Sequence, residues 1–152
     1  MPYIEKKDRI TYDDDIKEWS AGIEKSTPNR STQMRENILL LISNVYWSQG
    51  IYNDTPCSVS LKRIASNVPK DPVARPGHLN YIISSLIDQV YGLKMRYSDH
   101  NEAVGLLESI IKEINHHEIE ILGMLRCAQL EFYRRRTSPY EDEKIVSNGD
   151  IR

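Results

Sequence analysis

A long apolar repeat near the C-terminus restricts the folds open to this chain more than any other segment. Apolar residues recur at alternating intervals of three and four, which places them on one face of an α-helix. The repeat consists of Val104, Leu107, Ile111, Ile114, Ile121, Leu125, Ala128 and Phe132. Its phase persists across Asn115, His116 and His117, so we predict one continuous, coiled-coil-like helix from about Asn101 to Arg136. The alternative is two antiparallel helices hinged at Asn115.

The predicted length of this helix leads to a prediction about assembly. A helix of that span is about 54 Å long, whereas a compact chain of this size is roughly 38 Å across. One end would protrude, and an apolar seam in water costs about 25 cal/mol per Å² of exposed apolar surface. We therefore expect a second copy to cover the seam, which predicts a homo-oligomer.

Three shorter amphipathic segments precede the long repeat. The first contains Ile16, Trp19 and Ile23 and follows aspartates at positions 13–15 that are candidate caps. The second begins at Ser31 or Thr32 and ends at Gly50, and the third opens at Pro76 and ends near Gly92. Together with the long repeat they predict an all-α fold with four main helices.

Two segments fall outside these four helices. Residues 51–77 contain four prolines around a short amphipathic stretch, which predicts a proline-rich connector holding a two-turn helix. Pro139 is expected to stop the long helix. Residues 137–152 would then form an extended polar tail that docks on the body or stays loose. The predicted organisation is one helical domain, 1–136, followed by this tail.

Composition excludes several classes of protein. The chain has 152 residues, 20 Lys and Arg against 22 Asp and Glu, and 39% hydrophobic residues, a balance typical of a folded domain. It has neither an apolar run of the roughly 18 residues that a bilayer requires nor the pattern of a signal peptide. Two cysteines without CxxC spacing favour a reducing cytoplasm. The net charge of −2 and the lack of a continuous basic face disfavour nucleic-acid binding.

No catalytic or cofactor motif is present in the sequence. Glu113 and His116 have the spacing of a metal-binding helix, but di-iron bundles require two such pairs and two further glutamates. We therefore predict no metal site, no cofactor and no catalytic residue. A metal-dependent nucleotide hydrolase remains the third alternative for the function.

Basic residues give the strongest indication of binding. Between Lys62 and Arg96, six cationic side chains stand against two aspartates. At the end of the long repeat, Tyr133 is followed by Arg134, Arg135 and Arg136. Aromatic rings beside guanidinium groups are suited to stacking on bases and gripping phosphates. The structural alternative is that these arginines complement the helix dipole and pair with acidic residues of the tail.

Three segments resemble a known family. They are MPYI with Asp8 and Arg9, GHLNYII from Gly77 to Ile83, and LEFYRRR…PYEDEKI…NGDI near the C-terminus. Together they resemble a family of short helical proteins of unknown function found in tailed phages and prokaryotes. The resemblance implies an α-helical fold and a phage or prokaryotic origin, and it implies no chemistry.

These observations predict a non-enzymatic, oligomeric binding protein. The ligand that we expect is a small nucleotide-like anion, sequestered in a phage counter-defence role by analogy of size and context with other small phage proteins. Arginines would grip its phosphates, a tyrosine would stack on its base, and His78 or Asn80 would bind polar edges. The candidate binding residues are His78, Asn80, Tyr81, Tyr133, Arg134, Arg135, Tyr140 and Lys144. The alternative is an inhibitor that contacts a host protein through exposed helices.

Overall fold

The computed structural model describes residues 4–23, 29–51, 57–92, 94–114 and 119–151. These residues are predominantly helical and include no strand, which confirms the predicted all-α class. The α-helices are α1 (Lys6–Gly22), α2 (Asn29–Trp47), α3 (Ser58–Asn67), α4 (Arg75–Tyr91), α5 (Tyr97–Ile114), α6 (Ile119–Phe132) and α7 (Ser138–Asn148). A π-helical turn, Tyr133–Thr137, joins α6 to α7 and is called the π-turn below. None of the described helices is both long enough and apolar enough to cross a bilayer.

The prediction of one continuous helix from Asn101 to Arg136 is wrong. The guanidinium Nη1 of Arg126 and the amide Nε2 of Gln129 both donate to Oε2 of Glu108, at 3.1 and 2.9 Å. In a continuous helix, positions 18 residues apart would be separated by about 27 Å. Helices α5 and α6 are therefore antiparallel, as in the alternative interpretation, and the junction at residues 115–118 lies outside the described residues.

Reversal of the chain keeps the apolar repeat intact. Seven of its eight residues are buried, and Val104 is the exception at 42% exposure. Two antiparallel helices can bury one seam against each other and against the rest of the bundle, so the phase of the repeat does not reveal the turn. Because the seam is covered within one chain, the protruding helix that led us to predict a homo-oligomer is not present.

Helix α4 packs between α1 and α6. Helix α1 packs on α3 and α4 through Tyr12, Ile16 and Trp19, while α4 also packs on α6. Helix α4 begins with Pro76 in its first turn and ends at Gly92, whose φ of 77° suits glycine, as predicted. Within the predicted connector, the short amphipathic stretch forms α3.

Several predicted boundaries are shifted. Helix α1 begins at Lys6, so the aspartates at 13–15 lie inside it and do not cap it. Helix α2 begins at Asn29, before Ser31 and Thr32, and ends at Trp47, before the predicted stop at Gly50. The chain leaves α2 because Ser48 adopts a left-handed conformation with φ of 56°.

The prediction that Pro139 stops the last helix is also wrong. Proline has no N–H, and its ring crowds the carbonyl four residues earlier. The π-turn widens the helix at this point, so that Ser138 N–H donates to the carbonyl of Tyr133, five residues back. The segment predicted as an extended tail therefore continues as α7, which has no buried residue and ends at Gly149.

Candidate functional site

A cleft opens where α7 leaves the body of the bundle. Its volume is about 480 Å³, and it lies between the segment that follows α4 and the first turns of α7. The lining consists of Lys94, Met95, His100, Arg135, Arg136, Pro139, Tyr140, Glu143 and Lys144. Four of these side chains are cationic and one is a carboxylate, so the cleft favours an anion.

Two arginines of the π-turn share one carboxylate beside the cleft. Arg135 Nη2 donates to Asp88 Oδ2 at 2.7 Å, and Arg136 Nη1 donates to Asp88 Oδ1 at 2.8 Å. Arg136 also donates to the carbonyl of Gly92, at the end of α4. One aspartate balances the charge of only one guanidinium, so the pair retains positive charge towards the cleft.

Aromatic rings form the wall of the cleft near α5. The Tyr140 and His100 rings have centroids 4.7 Å apart, and Lys144 Nζ lies 5.5 Å from the Tyr140 centroid. His100 Nδ1 is 3.1 Å from Thr137 Oγ1 in the π-turn. Burial, together with the nearby charge of Arg136, lowers the pKa of His100. This histidine is therefore neutral at pH 7, where it contributes surface for packing but no charge.

The π-turn gives the site its position on the molecule. It brings Arg135 and Arg136 to the C-terminal half of α4 and sets the start of α7 over His100. Single π-helical turns within α-helices occur frequently at functional sites. The same local irregularity that accommodates Pro139 therefore builds one side of the cleft.

The structure brings three of the eight predicted binding residues to this cleft: Arg135, Tyr140 and Lys144. Tyr133 and Arg134 belong to the π-turn but are not among the lining residues. Tyr133 Oη donates to Glu141 Oε2 at 3.0 Å, and Arg134 Nη2 donates to Glu131 Oε1 at 2.6 Å. The arginines of the turn are thus paired with carboxylates, as the structural alternative proposed, but the carboxylates in these hydrogen bonds are Glu131 and Asp88 and not the acidic residues of the tail.

The other three predicted residues, His78, Asn80 and Tyr81, lie in the first half of α4. Tyr81 Oη donates to Asp13 Oδ1 of α1 at 2.5 Å, and buried Asn80 accepts a hydrogen bond from Ser84. His78 Nδ1 is 2.8 Å from Tyr12 Oη, and that hydroxyl lies 2.9 Å from the carbonyl of Asn67. The His78 and Tyr81 contacts hold α4 to α1, the Asn80 contact lies within α4, and none of the three residues lines the cleft.

Hydrogen bonding sets the tautomer of His78, and burial shifts the pKa values of both His78 and its partner Tyr12. Because a tyrosine has a single proton, donation from Tyr12 to Asn67 leaves His78 Nδ1–H as the donor to Tyr12. Burial lowers the pKa of His78. Burial, and secondarily the negative charge of Asp8, raises the pKa of Tyr12 to about 12. Both groups are therefore uncharged over the physiological range.

Six further lining residues and one supporting residue, Asp88, were not selected as binding residues from the sequence: Lys94, Met95, His100, Arg136, Pro139 and Glu143. Lys94 belongs to the basic segment from Lys62 to Arg96, and Arg136 to the arginine run, so a charge signal marked both. No sequence signal marked Met95 or His100 as cleft residues. None marked Asp88 as the partner of the arginines in the π-turn. These residues reach the site because the C-terminal half of α4 and the start of α5 meet the π-turn in the fold.

Metal chemistry gains no support from the described residues. Among them, no group of three or more His, Cys, Asp or Glu side chains is arranged to hold a metal ion. The sequence offered Glu113 and His116 as a pair with metal-binding spacing. His116 lies outside the described residues, and Glu113 accepts a hydrogen bond from Arg35 at 3.1 Å.

Comparison with known proteins gives a family assignment without an activity. Neither the search of curated proteins nor the search of solved structures found a match. A protein-family model, the Domain of unknown function (DUF6899), matches residues 1–120 and, in a second segment, residues 116–151. The two segments together span almost the whole chain, and the chain therefore belongs to the DUF6899 family.

Proposed function

We propose that this protein binds a small nucleotide-like anion in the cleft beside α7 and holds it without chemical change. The observation that carries the proposal is the excess of cationic side chains around one open cleft that also contains aromatic rings. The volume of about 480 Å³ is within the range of small-molecule sites.

Arg135 is the residue best placed to grip a phosphate. Its side chain is 41% exposed and lines the cleft, so it reaches a ligand without disturbing the core. Guanidinium groups bind phosphate oxygens through two parallel hydrogen bonds. Lys94 and Lys144 add point charges from the two sides of the opening.

The apolar part of the ligand would contact Met95, Pro139 and the Tyr140 ring. These side chains lie beside the cationic groups in the same lining, as a ligand with a base at one end and phosphate at the other requires. All of the lining comes from one chain, so binding at this cleft does not require the homo-oligomer that we predicted.

The biological role that we propose is sequestration of a nucleotide signal in the host cytoplasm, as part of phage counter-defence. It rests on the resemblance of three segments to proteins of tailed phages and prokaryotes, and on the small size of the chain. A protein that removes a signal needs a binding site for an anion, and the cationic lining of the cleft supports this role.

A retention assay tests the proposal. The protein is incubated with a panel of nucleotides and divalent metals, separated from free ligand, and heated to release what it holds. Recovery of intact nucleotide supports sequestration. Recovery of altered nucleotide favours the hydrolase alternative, and retention of nothing contradicts binding at the cleft.

A matched pair of variants locates the site. Arg135→Gln and Arg134→Gln each remove one positive charge from adjacent positions and keep an amide donor. We expect Arg135→Gln to weaken nucleotide binding about ten-fold, since it removes a charged hydrogen bond to phosphate. Arg134→Gln should leave the affinity unchanged, because Arg134 is paired with Glu131 and does not line the cleft. Equal losses in both variants would contradict the assignment.

Exposed apolar side chains on α7 favour a second candidate function, contact with a host protein. Val146 is 88% exposed and Ile145 is also exposed, on a helix that has no buried residue. If the retention assay recovers no nucleotide, this helix is the surface on which a search for a protein partner should start.

A further inference from the structure

Asp88 occupies an unusual position beside the proposed ligand cleft. Each of its two carboxylate oxygens accepts a hydrogen bond from a different arginine of the π-turn, at 2.7 and 2.8 Å. A carboxylate between two guanidinium groups presents the same chemistry as an anionic ligand group would present to them. The arginine that we assign to phosphate binding therefore already holds an anion that belongs to the protein.

The two arginines differ in how firmly they are held. The Arg136 side chain is 12% exposed and has a second acceptor in the carbonyl of Gly92. The Arg135 side chain is 41% exposed, and within the described part of the chain Asp88 is its one hydrogen-bonding partner. Arg135 can therefore exchange partners at the surface, whereas Arg136 stays fixed to the end of α4.

We infer that Asp88 is an internal competitor for the ligand, holding Arg135 until an anionic group in the cleft takes its place. This inference rests on the proposed function and adds a requirement on the ligand class. An anion that carries more charge than that carboxylate is attracted more strongly to the guanidinium and displaces the carboxylate more readily. The cleft therefore selects a dianionic group, such as a terminal phosphate or a diphosphate, over a phosphodiester or a carboxylate, which carry one charge.

The other charges around the cleft agree with this selection. Once Arg135 turns into the cleft, it joins Lys94 and Lys144, while Arg136 remains to balance Asp88. Glu143 is the carboxylate that lines the opening, and it repels every anion in proportion to charge. Three cations then face the ligand against one carboxylate, which suits a group with two negative charges.

The test compares Asp88→Asn with wild type, using inorganic pyrophosphate as the probe in isothermal titration calorimetry. Loss of the competing carboxylate should lower the Kd for pyrophosphate about three-fold, the size expected when a half-exposed ion pair no longer competes. Glu141→Gln is the matched control, since it also neutralises one carboxylate but one that pairs with Tyr133. Because Glu141 also acts electrostatically on His100, a second control is Glu113→Gln. This change neutralises a carboxylate that pairs with Arg35 away from the cleft, and the Kd of Glu113→Gln should equal that of wild type.

A double variant shows whether the gain acts through Arg135. In Asp88→Asn combined with Arg135→Gln, the gain in affinity should disappear, because the arginine that was freed is absent. The Asp88→Asn variant should also bind dimethyl phosphate, a monoanion, more tightly than wild type does. Weaker or unchanged binding of pyrophosphate by Asp88→Asn overturns the inference, and the positioning of Arg135 by Asp88 would then be the better account.

A measurement on the wild-type protein covers the case in which Asp88→Asn does not fold. The side-chain carboxyl ¹³C signal of Asp88 should shift on saturation with pyrophosphate, as Arg135 leaves it, while that of Glu131 should not. If the Asp88 signal does not shift while pyrophosphate is bound, the inference that Asp88 competes for Arg135 is overturned and the proposed function is unaffected. If neither wild type nor Asp88→Asn binds pyrophosphate or any nucleotide, the proposed function fails and this inference fails with it.

Discussion

The two halves of α4 use their polar side chains differently. In the first half, His78 and Tyr81 make hydrogen bonds to α1, where the chain is closely packed. In the second half, Asp88 and the carbonyl of Gly92 accept hydrogen bonds from arginines of the π-turn beside an open cleft. The first set stabilises the fold, whereas in the second set we propose that Arg135 exchanges Asp88 for a ligand while Arg136 stays in place.

Burial distinguishes the His78–Tyr12 contact of the first half, which is buried, from the Arg135–Asp88 ion pair of the second half, which is partly exposed. A buried donor or acceptor that loses its partner keeps the full penalty of desolvation, about 1–3 kcal/mol. A half-exposed ion pair contributes about 0–1 kcal/mol, because water replaces the lost partner. Substitutions in the first half of α4 should therefore change stability, and substitutions around the second half should change binding.

The largest effect is expected for Tyr12→Phe, which removes the hydroxyl that lies between His78 and Asn67. It leaves the His78 N–H and the Asn67 carbonyl without this partner, so the free energy of unfolding should fall by about 2 kcal/mol. Urea denaturation measures this change, and the affinity for pyrophosphate should not change. Tyr133→Phe, which removes an exposed hydroxyl near the cleft, is the control and should leave stability as it is. Equal stability of the Tyr12→Phe variant and wild type would contradict the difference between the halves.

An intermediate effect on thermal stability is expected when the pH is lowered. Burial lowers the pKa of both His78 and His100, so the unfolded chain takes up protons at pH values where the folded chain does not. Their contribution to stability is present above the ordinary histidine pKa of about 6.5 and is lost as pH falls towards the lower folded values. The Tm should therefore decrease between pH 7.5 and pH 5.5, and less steeply in His78→Gln.

Ligand binding should separate the two histidines. A bound phosphate in the cleft lies near His100 and stabilises its protonated form, so pyrophosphate should raise the pKa of His100. The pKa of His78, which is against α1, should not move. Imidazole NMR signals followed through a pH titration, with and without pyrophosphate, measure both. Parallel shifts at the two residues would show that the cleft is not the site of binding.

The smallest effect is expected for Val146→Ser on α7. Because Val146 is 88% exposed, this change should alter the free energy of unfolding by no more than about 0.5 kcal/mol. Sedimentation should give the same mass as wild type. A change in sedimentation would instead show that α7 contacts a second copy, which would restore the homo-oligomer prediction on a different surface.

Helical content and core positions could be predicted from the sequence because they depend on local spacing. The apolar repeat correctly identified Leu107, Ile111, Leu125 and other buried residues. It could not identify the reversal between α5 and α6, since the same phase is kept when a helix folds back on itself. Pro139 misled in a similar way, because a π-turn can accommodate a proline that an α-helix cannot.

Only part of the candidate site could be predicted, for a related reason. The arginine run and Tyr140 are neighbours in sequence, so their proximity to one another was visible there. Asp88 and Lys94 lie about 40 residues before the π-turn and meet it only after folding. His78 and Tyr81 were selected because they are polar and aromatic, but sequence does not show that Tyr12 and Asp13 already hold them.

The most direct test of which half of α4 serves binding is a pyrophosphate titration followed by backbone amide NMR of the wild-type protein. We expect saturable shifts at Lys94, Arg135 and Lys144, around the cleft. The amide signals of His78 and Tyr81 should stay where they are. Shifts centred on His78 and Tyr81, with the cleft residues unchanged, would contradict binding at the cleft.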